Sequence, residues 1–334
     1  MLTTPLCRQL GITYPILSVG MGALAGPELA AAVSNAGACG VLGRVAGAPV
    51  EHLRQQIRHL RSLTDKPFGV NIILARLQEG WIEVCLEEQV PLLVFFWGDP
   101  APYLHEAHRR GMKVFLQVGT VAEARRAAEV GVDAIIAQGV EAGGHVKSTT
   151  ALSTLVPEVV EAVHPTPVIA AGGIGNGRSL VAALSLGAQA VSMGTRFLCS
   201  DEALATPAYK ERVVQSTAVD TVYTTLFNVG WDAPHRVLRN KAVTEWEAAG
   251  CPAPGHRPGE GTLVGTAERG GTRMEFVRYA AGSYPTPGFT GETDYAVLYA
   301  GESCSLIHDI KPAAQIVRDL VREAEEVIGS LHQG

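Results

Sequence analysis

Eight short, nearly continuous apolar runs recur through the first 195 residues, and amphipathic segments fill the gaps between them. The runs are Ile16–Val19, Cys39–Leu42, Phe68–Ile73, Leu92–Phe96, Lys113–Val118, Asp133–Gln138, Pro167–Ala171 and Ala190–Met193. An apolar run without polar alternation suits a strand buried on both faces, as in a parallel sheet covered by helices. The intervening stretches Pro27–Ala36, Glu51–Leu63, Val121–Val130 and Gly177–Leu186 carry helical spacing; in the last, Leu180, Ala183, Leu184 and Gly187 fall on one face. Gly37, Gly111, Gly131 and Gly187 follow such stretches, where a left-handed C-terminal residue is needed. Eight strand-helix units, spaced roughly 20–25 residues apart, predict an α/β chain folded as a (β/α)8 TIM barrel. A doubly wound open sheet is the alternative, but no G-x-G-x-x-G follows the first strand and no topological break is visible.

Beyond residue 200 the pattern changes. Glu202 to Gly250 reads as mostly helical, Cys251–Gly261 as a Pro- and Gly-rich loop, Pro285–Gly291 as a turn-rich patch, and Pro312–Leu331 as a final amphipathic helix. This predicts a barrel over residues 1–215 and 286–334, with an inserted, mostly helical second domain or lid over 216–285. Such an insertion covers an active site or serves as a dimerisation surface.

Composition narrows the function classes. Hydrophobic residues make up 47% and charged residues 18%, which describes a globular chain. A net charge of −6, with no long basic run, gives no reason to expect nucleic-acid or membrane-surface binding. Six dispersed cysteines without a C-x-x-C argue against a zinc site or a disulfide framework and fit reduced thiols. With no signal-like N-terminus and no apolar run approaching ~18 residues, the expectation is a cytoplasmic protein outside the membrane.

In a (β/α)8 barrel the reactive groups sit on loops after the C-terminal ends of the strands. That rule selects Gly20-Met21-Gly22, Asn71, Trp97-Gly98, Gln117, the segment Gln138 to His145, Gly172-Gly173 and Gly194-Thr195. The loops after strands seven and eight form the usual phosphate site of such barrels, because backbone N–H groups approach an anion closely where no Cβ intervenes. Gly172-Gly173 and Gly194-Thr195 have that position; the plainer reading is two tight βα turns. Asn71, Gln117 and Gln138 bring three neutral amides to one mouth, able to donate to and accept from the edge of a heterocycle, or simply to cap their strands. His145, after Gly143-Gly144 on the loop of strand six, is the candidate base or anion partner. His52, His59, His105 and His108 lie on helical segments and are expected to face solvent. No Ser-His-Asp set and no H-E-x-x-H or paired metal-ligand spacing is legible.

The segments Gln138–His145, Pro167–Ile174 and Met193–Phe197 together resemble the nitronate monooxygenase family, formerly called 2-nitropropane dioxygenases. Pro15–Gly22, Phe68–Asn71 and Gly291–Leu306 extend the resemblance over nearly the whole chain. It implies an FMN-containing barrel with a helical second domain, in which Gly20, Met21, Gly22, Asn71, Gln117, Gln138, Gly143, Gly172, Gly173, Gly194 and Thr195 bind FMN and His145 is catalytic. The implied reaction is oxidation of an alkyl nitronate, a small anionic substrate, by FMN and O2 to a carbonyl compound and nitrite. Gln117 stands where some members carry lysine, so a fixed charge beside the flavin is missing there. FMN-dependent enoyl-acyl-carrier-protein reductases share the Glu-x-Gly-Gly-His and Gly-Gly-Ile segments, which makes an NAD(P)H-dependent enoyl or quinone reductase the alternative. A non-catalytic flavin-binding protein is the third reading.

Overall fold

Each of the eight apolar runs is a strand in the computed structural model, which describes residues 2–269 and 271–331. They are β1 (Ile16–Ser18), β2 (Gly40–Leu42), β3 (Phe68–Ile73), β4 (Leu92–Phe96), β5 (Lys113–Val118), β6 (Ala134–Gln138), β7 (Val168–Ala171) and β8 (Ala190–Met193). Hydrogen-bonded neighbours run in the order β1-β8-β7-β6-β5-β4-β3-β2, all parallel. A further parallel bridge between Leu17 and Cys39, with the Cys39 N–H donating to the Ile16 carbonyl at 2.9 Å, joins β1 to β2. The sheet thereby closes into the expected barrel and leaves no free edge.

The apolar runs are continuous because both strand faces are buried. Leu17, Val41, Leu92, Val94, Phe115, Ile136 and Ile169 fill the interior. Ile16, Leu42, Val70, Leu93, Phe95, Val114, Leu116, Ile135 and Val191 pack outward under the helices. The helices form where their periodicity places them, at Pro27–Asn35, Val50–Leu63, Val121–Val130 and Gly177–Ser185. A short helix, Pro5–Leu10, plugs the N-terminal end: Leu6, Cys7 and Leu10 join the interior cluster, and the Leu6 N–H donates to Gln189 Oε1 at 3.1 Å. The last helix, Ala313–Leu331, buries Ile316, Val317, Leu320, Val321 and Ala324, and Glu323 accepts the Gly177 N–H at 2.9 Å.

The insertion departs from its expected helical character. Among the described residues of 216–285 the only α-helix is Lys241–Ala248, and four strands take its place: Thr221–Thr224, His235–Leu238, Leu263–Arg269 and Thr272–Val277. The first two are antiparallel, and His235–Leu238 pairs in turn with Gly144–His145 on the loop after β6. The last two form a hairpin that gains Thr290–Gly291 as a third strand. Short β-branched segments such as Thr221-Val222-Tyr223-Thr224 take their conformation from a partner strand, which lies far away in sequence. Among the described residues, no helix is long and apolar enough to cross a membrane.

Candidate active site

The C-terminal mouth of the barrel gathers most of the residues singled out from the sequence. After β1, Gly20 and Gly22 have no room for side chains: a Cβ would fall 2.4 Å from Asn71 Cβ and 2.7 Å from the Tyr284 hydroxyl, respectively. The Tyr284 hydroxyl accepts the Ala23 N–H at 3.1 Å, tying this loop to the insertion. Met21 turns toward β8, its sulfur 3.8 Å from where a Cβ on Gly194 would lie. Asn71 donates to the Val94 carbonyl at 3.0 Å, which leaves its amide oxygen unused.

Gln117 is half-buried and makes no hydrogen bond to the described residues, so its whole amide is free at the mouth. Gln138 behaves differently. Its amide is buried and donates to the His145 carbonyl at 3.0 Å while accepting the Lys147 N–H at 3.4 Å. Gln138 therefore shapes the loop that presents His145. Gly143 also serves that loop: a Cβ there would sit 2.3 Å from the Gly301 nitrogen, so only glycine lets the two backbones cross.

Gly173 and Gly194 leave open space beside their backbones, as an anion cradle should, whereas Gly172 packs against the loop after β6, where a Cβ would lie 3.0 Å from the Ala142 nitrogen. Gly172 (φ +102°) and Gly173 (φ +69°) hold left-handed conformations, and nothing lies within 3.6 Å of a Cβ built on Gly173. Gly194 has nothing closer than 3.8 Å. Thr195 opens a helical turn, and its hydroxyl accepts the Gly301 N–H at 3.0 Å.

His145 lies at the centre of an aromatic cluster. Trp231, from the turn between Thr221–Thr224 and His235–Leu238, stacks on the imidazole with ring centroids 3.8 Å apart. Trp97, following β4, meets Trp231 edge-on at 5.4 Å, and Tyr299 and His235 lie 5.4 and 5.7 Å from His145. His145 Nε2 is fully enclosed and has no hydrogen-bond partner, and the same holds for Trp97 Nε1. Burial, helped by neighbouring His235 and Arg76, lowers the His145 pKa to about 3, so the ring is neutral at ordinary pH. Trp97 also holds φ at +54°, an uncommon conformation for a large side chain, which places local strain at the mouth.

Several of these partners were not evident in the sequence. His235 is wholly buried; its Nε2 accepts the Phe227 N–H at 3.1 Å and its Nδ1 donates to the Ala233 carbonyl at 2.9 Å. Both nitrogens are thus spent on the turn that carries Trp231. Arg236 donates to the Val140 carbonyl at 3.0 Å and pairs with Glu302 at 3.0 Å, while the Glu302 N–H reaches the Glu141 carbonyl at 2.9 Å. These side chains come from residues beyond 220, where sequence position gives no hint of the barrel mouth. Of the helical histidines, His59, His105 and His108 are exposed and His52 is half-buried.

The donor set fits a flavin. The open backbone at Gly173 and Gly194 suits the phosphate end, while a free amide on Gln117 and a spare oxygen on Asn71 offer partners to a ring bearing donors and acceptors.

A family model described as nitronate monooxygenase matches residues 3–80 and 75–323. The nitronate monooxygenase of Pseudomonas aeruginosa is 31% identical over 370 aligned positions, covering 96% of this chain and 99% of that protein. A carboxyl-CoA dehydrogenase of Mycobacterium tuberculosis, acting on a methyl-oxo-octahydroindene, is 39% identical over 250 residues, 74% of this chain and 69% of the relative. Among solved structures, FabK from Thermotoga maritima superposes with a TM-score of 0.84 at 36% identity, over 100% of this chain and 99% of its own. Nitroalkane oxidase from Streptomyces ansochromogenes gives 0.77 at 27% identity, over 97% and 99%. With the barrel, its open glycine turns and the histidine at its mouth, these matches assign the chain to the nitronate monooxygenase family of flavin-dependent oxidoreductases.

Proposed function

We propose that the protein binds one FMN non-covalently at the barrel mouth and oxidises alkyl nitronates, and nitroalkanes after removal of a proton, with O2 as second substrate. The phosphate would rest on Gly172-Gly173 and Gly194-Thr195, and Asn71, Gln117 and the Gly20–Gly22 loop would hold the ring. FMN, when bound, supplies the electron-accepting chemistry that no side chain can provide. The chain's own contribution is to orient a small anion, exclude water and move one proton at His145.

The observation that carries the reading is the unpartnered Nε2 of His145 in an enclosed aromatic setting. A neutral imidazole offers a lone pair or a hydrogen bond, but no charge. Its lone pair meets the α-proton of a nitroalkane as a weak base, given a pKa of about 3, and toward a ready-made nitronate it serves only as a hydrogen-bond donor. Trp231 and Trp97 keep solvent from the ring, and Gln138 and Arg236 keep its loop in place. The segment 216–285 would serve as the lid, since it carries Trp231 and His235.

The second reading is NAD(P)H-dependent reduction of an enoyl thioester or a quinone. What favours it is the 39% identity to a relative named for a CoA thioester. Anaerobic titration of the bound flavin separates the two. Bleaching by propyl nitronate, with colour restored by O2, supports nitronate oxidation. Bleaching by NADH or NADPH alone, with nitronate inert, rejects it in favour of the reductase.

A further inference from the structure

Six arginines are buried among the described residues: Arg44, Arg196, Arg236, Arg257, Arg269 and Arg278. Five of them donate hydrogen bonds to carbonyls, hydroxyls or carboxylates. Arg44 is the exception: its guanidinium makes no hydrogen bond and no ion pair with the described residues, and its Nε is completely enclosed. Its one close contact is the Trp81 ring, 4.0 Å below the guanidinium carbon. A ring face attracts a cation but accepts none of its five N–H donors in the plane of the fork. Burial lowers its pKa to about 10, still far above neutrality, so Arg44 is a desolvated, charged and unsatisfied group.

Its position gives this meaning. Arg44 follows β2 and Arg76 follows β3, so both stand on the rim where the barrel binds its ligands. β2 and β3 are paired neighbours, so the loops carrying Arg44 and Arg76 are adjacent, and the Arg76 bond to Gly230 sets it beside the turn whose Trp231 stacks on His145. Arg76 is exposed, and its only hydrogen bond goes to the Gly230 carbonyl, next to Trp231. The Tyr284 hydroxyl bonds the Ala23 N–H on the loop after β1, and among the described residues neither Arg44 nor Arg76 forms an ion pair. Two unneutralised guanidinium groups on one rim repel each other unless an anion lies between them. This rim belongs to the loops after β2 and β3, away from the glycine cradle after β7 and β8.

We propose that Arg44 and Arg76 form a second anion site that takes a phosphate carried by the tail of a substrate or electron donor, whose reacting end lies at His145. The planar fork of arginine suits two-point binding of phosphate oxygens, and Trp81 holds the Arg44 fork in one plane. A simple nitronate has no group for this site. The ligand class is a phosphate ester or diphosphate on a chain long enough to reach from the rim to the histidine. Two sources share that chemistry, a 4′-phosphopantetheine thioester and a nicotinamide dinucleotide. The inference does not rest on nitronate oxidation, because binding alone tests it.

Calorimetric titration of the flavin-loaded protein with two matched pairs is the experiment: 4′-phosphopantetheine against pantetheine, and nicotinamide mononucleotide against nicotinamide riboside. The phosphorylated member of one pair should bind at least about tenfold tighter than its counterpart, and that pair identifies the source. In the double variant Arg44→Gln/Arg76→Gln the preference should fall within about twofold, with the flavin spectrum and thermal midpoint kept as checks on folding. Arg76→Gln alone, at an exposed position, should lose part of the preference and keeps the test decisive if the double variant does not fold. A preference below about twofold in both wild-type pairs overturns the proposal. So does a preference that survives undiminished in Arg76→Gln.

Discussion

At the scale of single residues, a histidine in this mouth behaves unlike a histidine in water. Trp231 on one face of His145 and His235 and Tyr299 around its edge displace much of the solvent that would stabilise an imidazolium. The ring should therefore stay neutral well below the usual range. In an NMR titration of the imidazole carbons, His145 is expected to show no protonation step above about pH 5. Trp231→Ala should admit water and move that step upward toward the ordinary value of about 6.5. His145→Gln should reduce turnover by roughly 100- to 10,000-fold while flavin content is retained, as expected for removal of a proton-transfer group. Unchanged turnover in that variant would remove His145 from the chemistry. His145 itself was legible in the sequence because two glycines and the end of an apolar run mark its loop. Its neutrality was not, because that depends on Trp231, 86 positions later in the chain and brought back only by folding.

At the scale of elements, the loop after β6 is held by contacts too close for any side chain. Gly143 crosses Gly301 at backbone distance, and a Cβ would also lie 2.5 Å from the Ala300 carbonyl carbon. Backbone on both sides cannot yield as a side chain can. Gly143→Ala is therefore expected to lower the thermal midpoint by several degrees, on the order of 3–10 °C for a 1–3 kcal/mol loss, and to weaken flavin retention with it. An unaltered midpoint would show that the two segments move apart easily. Gly40→Ala tests the barrel wall in the same way, since its Cβ would fall 1.9 Å from the Ala30 carbonyl oxygen. That change should prevent helix Pro27–Asn35 from seating on β2, and soluble yield should fall steeply. The strands and their helices were legible because each repeats its own local pattern. The strands of the insertion were missed because their pairing, Thr221–Thr224 with His235–Leu238 and then Gly144–His145, is non-local.

At the scale of the whole molecule, buried His235 and partly buried His145 make stability depend on pH. Burial holds the His145 pKa at about 3 and the His235 pKa at about 4, both below the unfolded value. Above about pH 6.5 both states are deprotonated and these groups contribute no pH dependence. As pH falls below that value the unfolded chain takes up protons that the folded chain refuses, so stability declines until the folded pKa values are reached. Denaturant unfolding between pH 7 and 4.5 should show this loss, at most about 1.4 kcal/mol per pH unit for each histidine. His235→Phe should flatten the slope by about half, though it also removes the bonds to Phe227 and Ala233 and lowers stability overall. A slope unchanged in His235→Phe would mean that carboxylates, not histidines, set the acid limit.

The sequence by itself determined the barrel, because eight apolar runs and their amphipathic partners are local patterns that leave parallel strands buried on both faces as the consistent outcome. It also marked the mouth, since glycines and polar residues at strand ends stand out against apolar neighbours. What tertiary structure alone decided is the company those residues keep. It assigned Gln138 to its own loop and left Gln117 free; it set Trp231 on His145 and enclosed the Arg44 guanidinium without a hydrogen-bond partner. Each of these depends on contacts between segments far apart in the chain, and burial and charge at a site are sums over such contacts rather than properties of a motif.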